Sequence, residues 1–273
     1  MPELPEITVI ASQMNKELAG KQVADVEVKQ PKVLNVPVQE FQETARGRTV
    51  RGISSRGKWL FIKLDPGYFM PINLGMGAEL HQSKPGQVLP ENRQFGLTFM
   101  DGTGFTIHFW WFGYVHLVPE TALSEHKLTA GLGVSPIDET FTLERFEGLL
   151  AGKRTGVKSF ILDQTNVAGI GNVYVHDILF KARVHPNRKT STLSKPETAG
   201  LYDAMRSVLT RGIQLGGLAY ETDFYGQKGR FTTDEFLVGY KEGKLCPSCG
   251  TTIEKIKTGS TSSYICPRCQ TLS

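Results

Sequence analysis

The first 245 residues of this 273-residue chain contain no cysteine; all four cysteines fall between Cys246 and Cys269. A disulfide framework spreads its cysteines along the chain and belongs to much smaller secreted proteins, so that class is excluded and a reducing, cytoplasmic setting is expected. No apolar run approaches the ~18 residues a membrane span needs. The greasiest patch, Phe109-Trp110-Trp111-Phe112, is far too short. The start has no basic region followed by an apolar stretch and a small-residue cleavage site, so no secretory signal is read there. Neither repeats nor low-complexity tracts occur.

Charge of one sign is also missing locally. Between Ile178 and Pro196 there is no acid, while Lys181, Arg183, Arg188, Lys189 and Lys195 are present. Lys153, Arg154 and Lys158 form a second such run. A solvated face is the ordinary meaning of such runs, and a phosphate-binding surface is the alternative. The overall balance is mild: 31 Lys and Arg against 27 Asp and Glu, a net charge of +4. That is compatible with a polyanion partner without requiring one.

What is present changes texture along the chain. Ile7, Ile10, Met14 and Leu18 recur at helical spacing after Pro5, and Gly20 is placed to end that helix. From about Val23 to Val118, short apolar runs alternate with Gly, Pro and Asp-Gly turns, which predicts six to eight strands in a sandwich or barrel. From about Ile137 the pattern is helical. Ser194-Lys195-Pro196-Glu197 is a capping box opening a longer helix, closed by Gly216-Gly217. The polar stretch "ETDFYGQKGRFTTDE" is expected to be a mobile loop.

Three local patterns carry chemistry. Cys246-Pro-Ser-Cys249 and Cys266-Pro-Arg-Cys269 are two C-x2-C pairs separated by sixteen residues. Two such pairs complete a tetrahedral thiolate site, with room for a hairpin between them, and predict one structural Zn2+. Redox use normally needs one pair rather than two. Gly169-Ile-Gly171-Asn172 can turn backbone amides toward an anion, or can be a tight interhelical turn capped by Asn172. The opening "MPELPE" is either a helix start, with proline and acids at the positive dipole end, or the site of a reactive terminal amine.

Taken together, "PELPE", "RGKWL" at 56–60, "LDQTNVAGIGNVYV" at 162–175 and the terminal four-cysteine module resemble, in order and over nearly the whole chain, the bacterial formamidopyrimidine-DNA glycosylases and the related endonuclease VIII-like enzymes. The resemblance implies an α+β multidomain fold. Its parts would be an N-terminal β-sandwich bearing the first helix (1–132), a helix–two-turns–helix domain (133–238) and a zinc finger (239–273). It implies a bifunctional glycosylase and abasic-site lyase of base-excision repair, acting as a monomer on double-stranded DNA with damaged bases or abasic sites, without a membrane. The family's motif puts Pro2 in the role of nucleophile, Glu3 in that of proton shuttle, Glu6 beside it, and Lys58 and Asn172 on phosphates. Met76, Trp110 and Phe112 would fill the vacated base stack, and Lys158 and Lys241 would join the DNA-contacting set.

The chain also departs from that pattern. Asn73 stands three residues before Met76 where the family commonly has histidine. Trp110 occupies an arginine position, Thr261 replaces the arginine at the tip of the zinc hairpin, and Thr8 replaces a glutamate. Leu218-Ala219 replace a polar pair, and Gly239-Tyr240 invert the usual order. Lost charge-assisted contacts are worth ~1.5–3 kcal/mol each, so lesion choice is expected to differ. A catalytically degenerate protein that recognises kinked or abasic DNA is the alternative expectation.

Overall fold

The computed structural model describes residues 1–272, which pack into two compact units. One comprises Met1–Gly131 with Gly216–Arg230; the other comprises Leu132–Leu215 with the residues from Phe231 onward. The four-cysteine module packs with the helices of the second unit, and residues 216–230 belong to the first.

In the first unit, helix α1 (Leu4–Leu18) begins with a reciprocal capping box between Glu3 and Glu6 and has Pro5 in its first turn. Its Ile7, Ile10, Ala11, Met14 and Leu18 are buried. The Asn15 carboxamide oxygen accepts from the Ile53 amide at 2.8 Å, tying the helix to the sheet. The chain continues through β1 (Val23–Val28), α2 (Val38–Ala45), β2 (Thr49–Arg56), β3 (Trp59–Asp65), β4 (Tyr68–Asn73), β5 (Glu79–Ser83), β6 (Phe95–Phe99), β7 (Gly104–His108), β8 (Tyr114–Val115) and β9 (Val118–Pro119). Strands β1-β6-β7-β5 form one sheet; β2-β3-β4-β8, with β9 also on β4, form the other. Every strand pair is antiparallel.

Phe95, Leu97, Phe105 and Ile107 from one sheet and Val50, Leu60, Ile62, Met70 and Ile72 from the other belong to a single buried core. Two sheets sharing one apolar filling make a sandwich. Nine strands form where six to eight were expected. The strands that do not read as apolar runs are β4, interrupted by Pro71, and β5, mostly polar. Helix α2 was not anticipated either: in eight residues it buries only Phe41 and Ala45, too short a stripe to show a period.

The second unit contains α3 (Leu143–Leu150), α4 (Val157–Leu162), α5 (Val175–Lys181), α6 (Lys195–Gln214) and the hairpin β10 (Glu254–Thr258) to β11 (Thr261–Ile265). The expected capping box at Ser194 forms, and the Glu197 carboxylate also pairs with Arg188. Asp177 on α5 accepts three backbone N–H bonds, from Leu237, Val238 and Gly239, at 2.8–2.9 Å, fixing the strand-free segment that leads into the four-cysteine module. No helix among the described residues is long and apolar enough to cross a membrane.

Candidate active site

The chain start lies inside the first unit. Pro2, Glu3 and Glu6 are buried. Both Glu6 oxygens are engaged: Oε2 accepts from the Glu3 amide at 2.8 Å, and Oε1 accepts from the Leu218 amide at 3.1 Å. Gly217 must be glycine for this to happen. Its φ is +88°, and a Cβ there would sit 2.9 Å from Glu6 Cγ.

The segment 216–230, expected to be mobile in its polar part, is instead tied down. Phe224 enters the core. Its amide donates to Gln13 Oε1 at 2.9 Å, and its carbonyl accepts from the Gln82 amide at 2.9 Å. The Tyr225 hydroxyl donates to Glu17 at 2.9 Å. Polar composition concealed one buried aromatic and a set of side-chain anchors on α1.

That loop delivers a carboxylate that spacing alone did not reveal. Glu221 Oε1 lies 3.9 Å from the amine of Met1, and the Glu221 side chain is 12% exposed. Burial raises its pKa, the terminal amine opposes that, and the Glu3 carboxylate adds to it. Three acids, Glu3, Glu6 and Glu221, thus surround the chain start. No sequence motif connects position 221 to position 2.

Lys58 occupies the two-residue turn between β2 and β3, made possible by Gly57 at φ +61°. Asn73 organises the neighbourhood of that turn. Its Nδ2 donates to the Lys58 carbonyl at 3.0 Å, and its Oδ1 accepts from the Gly75 amide at 3.0 Å. Met76 follows at the tip, 43% exposed between Gly75 (φ +57°) and Gly77 (φ +75°). A Cβ on Gly75 would strike the Phe112 carbonyl, and Gly77 lies against the Trp110 ring. The Met76 tip and the 110–112 bend are therefore neighbours. Trp110, Trp111 and Phe112 are all exposed, so the apolar run that looked like strand leaves the sheet after His108.

In the second unit the four cysteine sulfurs all lie within 4.8 Å of one another. Individual pairs are 3.4 Å (Cys249–Cys266) and 3.8 Å (Cys246–Cys269) apart. A tetrahedral thiolate site with Zn–S near 2.3 Å places its sulfurs about 3.8 Å apart, so the donor set fits a metal ion. Gln270 braces it: its Oε1 accepts from the Cys266 amide, and its Nε2 donates to the Val184 carbonyl.

Lys158 requires a correction. It was expected among the DNA-contacting residues, yet it is 1% exposed. Its ammonium donates to Thr261 Oγ1 at 3.0 Å, the Ser262 carbonyl at 2.6 Å and Ser263 Oγ at 3.0 Å. All its hydrogen-bonding capacity goes to the hairpin tip, where burial lowers its pKa to about 8. Lys241 is half-buried and donates to the carbonyls of Asp234 and Phe236, so its ammonium also holds backbone. Asn172 is half-buried just before α5, its Oδ1 enclosed without a partner in the protein. Beside it on α5, His176 packs against Tyr240 and Tyr264; burial first, then the Lys158 charge, push its pKa down to about 3.

Comparison with known proteins matches three family models in chain order. These are the formamidopyrimidine-DNA glycosylase N-terminal domain over residues 1–115, its H2TH domain over 132–223, and the zinc finger found in FPG and IleRS over 243–272. The formamidopyrimidine-DNA glycosylase of Pelotomaculum thermopropionicum is 39% identical over 99% of both chains. That of Streptococcus pyogenes serotype M6 is 34% identical over 99% of this chain and 98% of its own. Among solved structures, the Lactococcus lactis Fpg in complex with abasic-site DNA superposes with a TM-score of 0.89 at 27% identity, covering 98% of this chain and 99% of its own. The same protein in complex with Fapy-dG DNA gives 0.88 at 27% identity, covering 98% and 100%. The order of the three models and the full-length matches together place the chain in the formamidopyrimidine-DNA glycosylase family.

Proposed function

We propose that this protein is a base-excision-repair DNA glycosylase with abasic-site lyase activity, acting on double-stranded DNA that carries damaged, oxidised bases or abasic sites. The observation that carries this reading is the buried Pro2 flanked by Glu3 and Glu6, with the 216–230 loop clasped over Glu6. Once Met1 is removed, Pro2 presents a secondary amine with an ordinary pKa near ~8, well below lysine's, so part of it is unprotonated at neutral pH. Its nitrogen attacks the sugar C1′, the bond from C1′ to the base breaks, and the base leaves with a proton that Glu3 can supply. The nitrogen gives up its proton, the C1′–O4′ bond breaks as O4′ takes a proton that Glu3 can relay, and the nitrogen lone pair forms C1′=N. The iminium so formed has no N–H to lose and stays cationic. It therefore acidifies the C2′ proton and permits elimination of the 3′ phosphate.

Around this centre, Lys58 serves as a phosphate ligand and the Met76–Trp110–Phe112 patch fills the vacated stack. The four-cysteine cluster holds one Zn2+. With four thiolates there is no open position for water, so the ion stiffens the hairpin and takes no part in the chemistry.

The test is borohydride trapping on an abasic-site duplex with protein whose intact mass shows Met1 removed. A covalent complex is expected, and Pro2→Gly is expected to lower its yield strongly while leaving duplex binding in place. Absence of any adduct with Pro2 unblocked would overturn the reading in favour of a non-catalytic DNA-binding protein.

A further inference from the structure

Resting on the lyase reading above, we propose that Glu221 is the base that removes the C2′ proton in the elimination step. Met1 marks where the attached sugar would sit. Its carbonyl carbon is bonded to the Pro2 nitrogen, as C1′ is in the iminium. Both linkages are planar, the amide through resonance and the iminium through its double bond. Met1 Cα is attached to that carbon as C2′ is attached to C1′, and the Met1 nitrogen is one bond further on. Glu221 Oε1 lies 3.9 Å from that nitrogen. The chain's own first residue thus occupies the place of the attached sugar, and the Glu221 carboxylate faces the atoms beside the C2′ position.

The other two acids are less suited to this step. Glu6 has both oxygens committed to backbone amides, at 2.8 and 3.1 Å. Glu3 is tied into the capping box at the start of α1. Glu221 instead approaches from the loop. That loop is anchored at Leu218 through Glu6 and at Phe224 through Gln13, so the carboxylate is held from both sides. Its side chain is 12% exposed, which limits competition from water. Burial raises its pKa, the Met1 ammonium opposes that rise and the Glu3 charge adds to it, so once Met1 is gone Glu221 is a stronger base than a carboxylate in water.

The electrons balance without a further reactant. Glu221 accepts H+ from C2′, the C2′–H pair becomes the C1′=C2′ bond, and the iminium nitrogen recovers its lone pair. That lone pair then re-forms C1′=N. The C1′=C2′ pair moves to C2′=C3′, the C3′–O bond breaks, and the phosphate leaves with the electron pair. Water later releases Pro2 and an unsaturated aldehyde.

The experiment measures two quantities under single turnover on an abasic-site duplex: borohydride-trapped adduct and strand nicking. Glu221→Gln is expected to keep the adduct at wild-type yield or higher while nicking slows about 100-fold or more, in the range of general-base effects. Wild-type nicking by Glu221→Gln would overturn the assignment. So would equal loss of adduct and nicking by a protein that still melts cooperatively, since Glu221 would then act before the iminium forms. If Glu221→Gln loses its cooperative melt, Glu221→Asp, which keeps the charge on a shorter arm, carries the same test. Slower nicking with retained adduct supports the proposal; undiminished nicking overturns it. Wild-type protein that forms no adduct would overturn the lyase reading itself, a result distinct from any of these.

Discussion

The Glu6 carboxylate accepts the Leu218 amide at 3.1 Å, joining the first helix to a loop 212 positions further along the chain. Its other oxygen holds the Glu3 amide, so one side chain sets both the start of α1 and the approach of the loop. Glu6→Gln should break this, because a carboxamide offers one acceptor oxygen where two N–H donors must be met. Its NH2 group would face one of them. Leaving a buried donor unsatisfied costs ~1–3 kcal/mol. The expected outcome is a lower melting temperature together with nicking of abasic-site DNA slowed by about 5-fold or more, the factor that ~1 kcal/mol corresponds to if the loss is felt at the site. A Glu6→Gln protein with both values unchanged would remove Glu6 from the site.

Much of this was legible in the residues, for identifiable reasons. The helical period of Ile7, Ile10, Met14 and Leu18, the capping box at Ser194 and the paired C-x2-C motifs are all local signals, and each survives into the structure. Local signals could not show where Lys158 points. A lysine in an acid-free run reads as surface, and only a hairpin 103–105 positions away turns it inward. Glu221 was hidden for the same reason. Its position depends on Gly217, Phe224 and the Gln13 side chain acting together across the chain.

The buried Lys158 makes its own prediction, set against Lys58. Lys58 lies in a half-buried turn and is proposed to meet phosphate; Lys158 braces the hairpin. Each phosphate contact contributes ~0.9 to the slope of log affinity against log salt. Lys58→Met should therefore flatten that slope by about one. Lys158→Met should lower thermal stability, through three orphaned acceptors, and leave the slope unchanged. A salt slope altered equally by both substitutions would return Lys158 to the DNA surface.

Removing the metal should affect the hairpin before anything else. Thiolate ligation contributes directly to folding in modules of this size. One Zn2+ per chain is expected by native mass spectrometry. Chelation, or Cys266→Ser, should release it, abolish the protection of β10 and β11 in hydrogen exchange and leave the β-sandwich protected. A chain that binds no zinc yet keeps a protected hairpin would contradict the assignment.

The exposed rings near Met76 should matter to binding and not to folding. Trp110 is 62% exposed, so Trp110→Ala removes little buried surface. Aromatic stacking on an unpaired base is worth ~1–3 kcal/mol. Titration of an abasic-site duplex should show affinity reduced about 10-fold or more, with an unchanged melt. Wild-type affinity in Trp110→Ala would mean that the patch serves some other surface.

Acid should destabilise the first unit through two histidines. His116 Nδ1 lies 2.8 Å from His126 Nε2, and His126 Nδ1 lies 2.8 Å from Thr129 Oγ1. One ring proton can sit between the two nitrogens; a second would set donor against donor. Trp59 and Tyr114 pack around the pair. Burial first, then the neighbouring His126, lower the His116 pKa from 6.5 to about 4. Between those values the unfolded chain binds a proton that the folded chain refuses. Stability is therefore intact above pH 6.5 and declines as pH falls toward 4, below which both states are protonated and the loss stops growing. At ~1.4 kcal/mol per pH unit the loss from this group reaches about 3 kcal/mol at most. Thermal melts from pH 7.5 to 4 should show this decline, and His116→Phe should flatten it. An equally steep decline in the variant would place the acid sensitivity elsewhere in the molecule.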